Sequence, residues 1–237
     1  MPETADNIAH DLNIGREASD AFAARSQARY AKALANGFYE GEMFGVDVPQ
    51  GRKQPPLLVD KDEHPRAERT EEKLAKLGAL FEGGVVTAGN ASGLNDGAAA
   101  LIVGTRAAGE RAGLAPRARI VASAVAGVAP RVMGLGPVPA SQKALARAGL
   151  SLEQMDVIEI NEAFAMVTML AIKKLGLDES KVNVKGGACA LGHPIGASGA
   201  RILVTLLHAL KQSNGRKGIA SLCIGGGEGV ALAVEML

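Results

Sequence analysis

The sequence has few aromatic residues, few cysteines and no excess of either charge. It contains no Trp, five Phe and two Tyr in 237 residues, so aliphatic side chains must fill its core. Lys and Arg number 26 against 25 Asp and Glu, which excludes a chain-wide attraction to nucleic acid or an anionic membrane. Two cysteines do not make a disulfide framework in a chain of this length. No run of 18 apolar residues predicts a membrane-spanning helix.

What is present is typical of a globular chain: 47% of the residues are hydrophobic and 22% are charged. Glycine is abundant, with 30 residues in 237 against a usual share of about 7%. Because glycine lets a ligand approach the backbone closely, this excess favours an active site built from loops. Residues 1–6 have neither the basic nor the apolar region of a signal peptide, and we expect a cytoplasmic protein.

The first 80 residues fall into two parts. Residues 1–40 predict two helices, the first with Thr4 at its N-cap and the second ended by Gly37. Residues 38–80 are polar and contain four prolines, with one strand-like run at 57–59. A polar stretch of this length is either a solvated loop without a role or a functional segment that covers another part of the protein, and composition leaves both open.

From residue 85 onward, strand patterns alternate with helix patterns. The apolar runs at 98–103 and 119–128 predict buried strands. This alternation indicates an α/β fold with a mixed sheet covered by helices on both faces. Further strands are predicted at 155–160, 218–223 and 229–235, and helices at 105–113, 139–148, 165–175 and 197–211.

Three strand-to-loop junctions end on residues that can do chemistry, namely Asn161, His193 and Cys223. His193 stands between a glycine and Pro194, which is a costly way to hold an ordinary surface histidine and favours a catalytic imidazole. Cys223 precedes Ile224 and the glycines 225–227, whose N–H groups could form an oxyanion site. A thiol and a histidine in this setting, without metal-type spacing, favour acyl or thioester chemistry.

Several polar residues have a purely structural alternative. Asn161 could be only the N-cap of the helix that follows it. Cys189, in an Ala-rich run, is predicted to be a packed thiol rather than a nucleophile. The remaining candidates are predicted to form turns (Asn90, Asn95 and Asp96) or lack a supporting cluster (His10, His64 and His208).

Four blocks together resemble the thiolase family, specifically its biosynthetic acetyl-CoA acetyltransferases. The blocks are Gly-Asn-Ala-Ser-Gly-Leu-Asn-Asp-Gly at 89–97, Asn-Glu-Ala-Phe at 161–164, Gly-His-Pro at 192–194 with Gly199, and Cys-Ile-Gly-Gly-Gly at 223–227. The resemblance implies a thiolase-like mixed five-stranded sheet covered by helices, plus an α-rich loop domain. It divides the chain into a loop domain over the CoA site, a remnant of the N-terminal half-domain and a C-terminal half-domain, at residues 1–94, 95–115 and 116–237.

The resemblance implies a Claisen condensation of two acetyl-CoA to acetoacetyl-CoA, and the reverse thiolysis. Cys223 would be the general acid/base, and His193 would activate the nucleophile and hydrogen-bond the thioester oxygen. Asn161 would contribute through a water, and the Gly225 N–H would serve a second oxyanion hole. CoA and its thioesters would be substrates, with no permanent cofactor and no metal. The residues that the resemblance places around CoA are Ser92 on the pantetheine, Ala88, Leu94, Met133 and Phe164 along its channel, and Arg66 near the nucleotide.

The resemblance also exposes an absence. Thiolases carry their acyl-accepting cysteine in an N-terminal Cys-Gly/Ser-Ser-Gly-type block, and no such block occurs here. We therefore expect a thiolase fragment that is inactive alone, from a family of dimers or tetramers, with no nucleic acid or membrane partner. Two alternatives stay open, a non-catalytic CoA-binding or interaction remnant and a substitute nucleophile at Cys189.

Overall fold

The computed structural model describes residues 1–52, 54–66 and 68–237. Its α-helices are α1 (Pro2–Leu12), α2 (Arg16–Ala35), α3 (Glu71–Leu74), α4 (Arg106–Arg111), α5 (Pro137–Ala148), α6 (Ala165–Leu175), α7 (Ala188–Leu191) and α8 (Ser198–Ser213). Its strands are β1 (Val46–Val48), β2 (Leu57–Val59), β3 (Ala118–Gly127), β4 (Val157–Ile160), β5 (Lys217–Ile224) and β6 (Glu228–Met236). Short 3₁₀ turns lie at Phe38–Gly41, Pro130–Leu135, Leu152–Gln154 and Glu179–Lys181.

Strands β3 to β6 form one mixed sheet in the order β3–β6–β5–β4. Strand β4 runs parallel to β5, whereas β6 is antiparallel to both of its neighbours. The predicted α/β class and mixed sheet are confirmed, but the expected fifth strand does not form in the described residues. Val182 makes one parallel bridge to Ile158, and beyond it the Asn183 side chain bonds both the N–H and the C=O of Ile160 at 2.8 Å. A side chain thus takes the place of a continuing strand.

The sheet separates two apolar layers, because alternate residues of each strand point to opposite faces. On one face Ile158 and Ile219 share a core cluster with residues of α5. On the other face Val157 and Ala220 pack with Leu206 of α8. The prediction that helices cover both faces is confirmed, and the two layers hold the ends of β4 and β5 in place.

Helices α1 and α2 confirm the two predicted N-terminal helices. Met1, not Thr4, occupies the N-cap of α1, because Pro2 has no N–H to satisfy and begins the helix three residues earlier than predicted. The Thr4 hydroxyl donates to the Met1 carbonyl over 2.7 Å within the first turn. Gly37 follows α2 with a φ of +69°, as expected of the residue that ends a helix. Both helices pack against α6 and so lie beside the end of the sheet.

Two predicted buried strands differ in the structure. Residues 98–103 form no strand and are exposed, with Ile102 88% and Val103 70% exposed. Strand β3 does form, but it lies at the edge of the sheet and Val125 is 56% exposed. Both predictions fail for one reason. An apolar run is buried only where another layer covers it, and a sequence pattern does not report that neighbour.

The described residues of 38–80 form a largely exposed excursion, and this exposure is compatible with both alternatives that their composition left open. The run at 57–59 becomes β2 and pairs antiparallel with β1, with Val46 opposite Val59. All residues of both strands are exposed. Among the helices described, none combines the length and apolar character needed to cross a membrane.

Candidate active site

The parallel strands β4 and β5 end side by side, so Asn161 and Cys223 lie at the same end of the sheet, where the C-termini of these strands are. The Asn161 N–H donates to the Ser221 carbonyl over 3.0 Å, which places Asn161 beside the last residues of β5. Asn161 is fully buried, yet Phe164 occupies the N-cap of α6. The N-cap alternative for Asn161 is therefore wrong, and its amide is available for a chemical role.

His193 belongs to a loop that is bound to the segment 93–95. Its N–H donates to the Gly93 carbonyl over 3.0 Å and to Asn95 Oδ1 over 3.2 Å, and it pairs with Leu94 in a parallel bridge. Gly192 has a φ of +89°, and a Cβ there would lie 2.2 Å from Asn95 Oδ1. Only glycine allows this approach, so two glycine-rich blocks that are distant in sequence fit together around His193.

A chain of hydrogen bonds defines which nitrogen of His193 carries the proton. The Asn161 amide nitrogen lies 3.4 Å from Nε2 and can only donate, so Nε2 accepts. The proton is then on Nδ1, which donates to the Ser198 hydroxyl over 2.5 Å, and that hydroxyl donates to the Pro194 carbonyl over 3.0 Å. Burial and, to a lesser extent, the charge of Arg201 lower the pKa of His193, which favours this neutral tautomer.

The other end of the Asn161 amide is unused. Its Oδ1 atom is buried and has no hydrogen-bond partner among the described residues. Leaving a buried acceptor unpaired costs stability, so such an atom is expected where a ligand completes the arrangement. The free Oδ1 acceptor of Asn161, next to His193 Nε2, therefore indicates a place for a hydrogen-bond donor of a ligand.

Cys223 lies in apolar surroundings at the end of β5. Its side chain is 6% exposed and belongs to a cluster with Met133 and Phe164. Burial raises the pKa of this thiol to about 11, so its resting form is protonated. The turn that follows contains Gly226 and Gly227 at φ +99° and +102°, and it leaves Gly225 exposed. A protonated thiol beside an exposed backbone turn can exchange a proton with a substrate carbon.

Cys189 has a different environment. It is fully buried in the main core, and its Sγ lies 3.8 and 3.9 Å from the carbonyl oxygens of Asn90 and Glu162. Burial and the nearby Glu162 carboxylate raise the pKa of this thiol well above its ordinary value. A thiol with these properties is inert, so the structure supports a packing role for Cys189 and not that of a substitute nucleophile.

The residues predicted to contact CoA are only partly brought together. The Ser92 hydroxyl donates to the Ala163 carbonyl over 3.0 Å and fastens the 91–95 loop to the segment before α6. Leu94 is exposed and lines an open pocket of ≈ 210 Å³ together with His193. The residues that line this pocket are Leu94, Asn95, Asp96, His193 and Ile195.

The four other predicted CoA contacts lie outside this pocket. Met133 and Phe164 are buried beside Cys223, and Ala88 is exposed in a turn. The Arg66 guanidinium donates to carbonyls of its own loop, at residues 63–65. Met133 and Phe164 thus share a core cluster with Cys223, and no described hydrogen bond joins Arg66 to Asn161, His193 or Cys223.

Sequence reasoning missed residues that shape the site. The buried Glu162 carboxylate accepts from Ser26 Oγ at 2.7 Å, Asn183 Nδ2 at 2.8 Å and the Cys189 N–H at 3.1 Å. Glu162 thereby links α2, the segment around Asn183 and α7 next to Asn161. Its position in the block 161–164 marked it as notable, but its partners come from distant segments that no local pattern reveals. In the described ranges, no three His, Cys, Asp or Glu side chains group as a metal site would require.

Comparison with family models gives two matches. The model described as the thiolase N-terminal domain matches residues 1–107, and the thiolase C-terminal domain matches residues 114–236. Since the N-terminal model matches here, the comparisons do not support the expectation that most of the N-terminal half is missing.

Relatives and solved structures agree with this family. A β-ketoadipyl-CoA thiolase of Pseudomonas aeruginosa is 52% identical over 99% of this chain and 59% of its own length. An acetyl-CoA acetyltransferase of Thiocystis violacea is 52% identical over 100% of this chain and 60% of its own length. The chain thus spans about three fifths of these curated relatives.

Two crystal structures have the same fold over the whole of this chain. The Bacillus anthracis acetyl-CoA acetyltransferase superposes with a TM-score of 0.96 at 49% identity, covering 100% of this chain and 60% of that one. The human mitochondrial 3-ketoacyl-CoA thiolase in complex with CoA gives 0.90 at 43% identity, covering 99% and 58%.

Proposed function

Since this chain belongs to the thiolase family, we propose that it forms the acid–base and oxyanion part of an acetyl-CoA acetyltransferase. The reaction is the condensation of two acetyl-CoA to acetoacetyl-CoA, and the reverse thiolysis. One observation carries the proposal. The neutral His193 accepts a hydrogen bond from Asn161 at Nε2, and Asn161 lies at the end of the sheet where β5 places Cys223.

His193 acts on the nucleophile in the first half of the reaction. Its Nε2 takes the proton of the acyl-accepting cysteine as that sulfur attacks the acetyl-CoA carbonyl. The carbon–sulfur bond to CoA breaks, and Cys223 gives its proton to the departing CoA thiolate. This leaves an acetylated cysteine, free CoA and Cys223 as a thiolate. The protonated Nε2 then serves as a hydrogen-bond donor to the thioester oxygen of the next substrate.

Cys223 acts on carbon in the second half. Its thiolate removes a proton from the methyl group of a second acetyl-CoA, and the carbanion attacks the acetyl group and releases the cysteine thiolate. The released thiolate recovers its proton from His193. Because burial raises the pKa of Cys223 to about 11, its thiolate is a stronger base than an exposed one. Asn161, through a water, and the Gly225 N–H complete the two oxyanion holes.

We propose that the acyl-accepting cysteine lies outside these 237 residues. The sequence has two cysteines, of which Cys189 is packed in the core and Cys223 has the acid–base role. The exposed apolar segment 98–103 is a surface that further chain could cover. The proposed division is residues 1–94 over the CoA site, residues 95–115 as part of the N-terminal half-domain and residues 116–237 as the C-terminal half-domain, and the C-terminal family model over residues 114–236 supports the last of these.

CoA binding is assigned to the loops around His193. Ser92 would contact the pantetheine, with Met133 and Phe164 beside the reacting end, Ala88 and Leu94 at the exposed rim, and Arg66 towards the nucleotide. The acyl group is taken to be acetyl, and the relatives named β-ketoadipyl-CoA thiolase are as similar to this chain. Turnover measured with acetoacetyl-CoA and with 3-oxoadipyl-CoA would decide between these substrates.

The decisive test is a thiolysis assay of the chain alone and of the chain joined to an N-terminal thiolase segment that carries the nucleophile. We expect no turnover alone and clear turnover after joining. In the joined protein Cys223→Ala should abolish activity, and His193→Gln should lower it by about 10²- to 10⁴-fold. Unaided turnover comparable to an intact thiolase would refute the missing nucleophile. Binding of CoA without acyl transfer in any combination would instead favour a non-catalytic CoA-binding remnant.

We extend the proposal to the location and the oligomeric state of the protein. A cytoplasmic location and a dimeric or tetrameric assembly are both expected of the intact protein. Cell fractionation tests the first, and light scattering of the joined protein tests the second. A membrane-bound or strictly monomeric active enzyme would contradict these two points without affecting the chemistry.

A further inference from the structure

His64 bonds two segments of the candidate site, although its sequence surroundings give no indication of this. Its Nδ1 atom lies 2.8 Å from the Ala190 carbonyl oxygen. Its Nε2 atom lies 3.1 Å from the Gly93 backbone nitrogen. The side chain is partly buried in the excursion 38–80, between the loop at 91–95 and the turn that precedes His193.

Both partners of His64 are backbone groups, so the direction of each bond is fixed. A carbonyl only accepts and a backbone N–H only donates. Nδ1 of His64 must therefore carry a proton, and Nε2 must offer a lone pair to Gly93. A doubly protonated ring has no lone pair and could not make the second bond. His64 works here as a neutral bridge with one donor and one acceptor.

The Gly93 peptide connects His64 to the catalytic histidine. Its N–H is held by His64, and its carbonyl accepts from the His193 N–H over 3.0 Å. The residue at the other end of His64, Ala190, lies in α7, three positions before His193. His64 therefore contacts the helix that leads into the His193 loop on one side, and the His193 backbone through Gly93 on the other.

Two features show that His64 is closely packed between Gly93 and Ala190. A Cβ on Gly93 would lie 2.7 Å from the His64 ring, so glycine is needed for the approach. Gln27 supports the same region, because its side chain accepts from the Arg66 N–H over 2.9 Å and donates to the Cys189 carbonyl over 3.0 Å. The loop that carries His64 is thus anchored to residues 189 and 190 of α7 by two separate side chains.

We propose that His64 is a positioning residue for the reaction assigned above. It holds Gly93, and through Gly93 the backbone of His193, in the geometry that lets Nε2 reach Asn161. The inference rests on the proposed function for its catalytic consequence, but the positioning itself can be measured on the chain without turnover.

The test uses two variants that keep different halves of the bridge. An Asn side chain places its amide near Nδ1, and a Gln side chain places its amide near Nε2. H64N can thus keep the Ala190 bond, H64Q can keep the Gly93 bond, and H64F keeps neither. H10Q is the control, since His10 is an exposed residue whose described hydrogen bond goes to the adjacent Asp11.

The first readout is NMR of the 237-residue chain, with ring signals of the four histidines assigned through single variants. We expect faster amide exchange at Gly93 and shifted ring signals of His193 in H64F and H64N. Both should stay near wild type in H64Q and H10Q. If Gly93 exchange and the His193 signals are unchanged in H64N and H64F, the proposal is overturned. Should H64F not fold, the comparison of H64N with H64Q decides alone.

The second readout is kinetic and uses the joined protein. We expect H64N to lower kcat by about tenfold relative to H64Q, the scale of one lost buried hydrogen bond, with little change in KM. Equal kcat values for H64N, H64Q and wild type would overturn the catalytic consequence. If the joined protein has no activity, the proposed function fails, while the NMR result still tests the positioning.

Discussion

Residues 118–236 and residues 38–104 both contain short apolar runs, but the structure treats them in opposite ways. In the first region all four residues of β4 are buried, because β5 pairs with it and helices cover both faces. In the second region the run at 98–103 is exposed and unpaired in the described structure, and β1 and β2 pair only with each other, with every residue exposed. The difference shows that apolar composition makes a buried strand only where a neighbouring layer exists.

The same contrast applies to the site. Asn161 and Cys223 come from the first region, where paired strands set their positions. The second region contributes through hydrogen bonds between loops, such as those of His64 and Asn95. A ladder of backbone bonds is insensitive to one side chain, whereas a loop contact depends on it. We expect truncation of buried side chains to cost more stability in the first region, and loss of a hydrogen-bonding side chain in a loop to affect the site.

The largest expected difference is between two aliphatic truncations. Leu206 is fully buried in the α8 layer, and L206A should lower the free energy of unfolding by about 3 kcal/mol. Ile102 is 88% exposed, and I102A should change it by less than about 0.5 kcal/mol. Urea unfolding of both variants measures the difference. Similar losses would show that the 98–103 segment is packed in solution and would erase the contrast.

A smaller difference in stability is expected between alanine substitutions at two glycines, Gly229 and Gly104. A Cβ on Gly229 would lie 2.1 Å from the backbone of Gly136, and G229A should cost about 2 kcal/mol. Gly104 has no atom within 4 Å of such a Cβ, and G104A should stay within about 0.5 kcal/mol of wild type. The same urea titrations apply, and a wild-type midpoint for G229A would contradict the close packing of the sheet region.

Glu159 should make the free energy of unfolding depend on pH, by at least about 1 kcal/mol between wild type and E159Q. Burial raises the pKa of this carboxyl to about 8 from 4.5. Between these values the folded state holds a proton that the unfolded state has lost, so wild-type stability falls as pH rises from about 4.5 through about 8. E159Q removes this loss, and its advantage should grow over that range. E63Q, at an exposed position, is the surface control, and an E159Q curve that runs parallel to that of the wild type would refute the assignment.

The smallest effect compares one hydroxyl from each region in the joined protein. S198A removes the acceptor for His193 Nδ1 and should lower kcat by about fivefold with KM unchanged. S92A should instead raise KM for the CoA thioester, if Ser92 contacts the pantetheine. Steady-state kinetics separates the two outcomes. An S198A enzyme with wild-type kcat would show that the hydroxyl does not set the tautomer of His193.

Much of the site could be predicted from the sequence, because its local chemistry is distinctive. Glycine and proline around His193 and the glycines after Cys223 marked these residues, and the structure places Asn161 and His193 3.4 Å apart. His64 could not be predicted, because both its partners are backbone groups far away in the chain. The strand predicted at 98–103 failed because periodicity describes a segment and not its neighbour.

The sequence by itself determined the residues available for chemistry, the α/β alternation and the helix ends at Gly37, Gly149 and Gly176, which all have positive φ. These depend on local conformational preferences, which a few neighbouring residues define. Only the tertiary structure decided which apolar runs are buried, which nitrogen of His193 carries a proton and how far burial raises the pKa of Cys223. These properties depend on atoms that arrive from distant segments, and no stretch of sequence contains them.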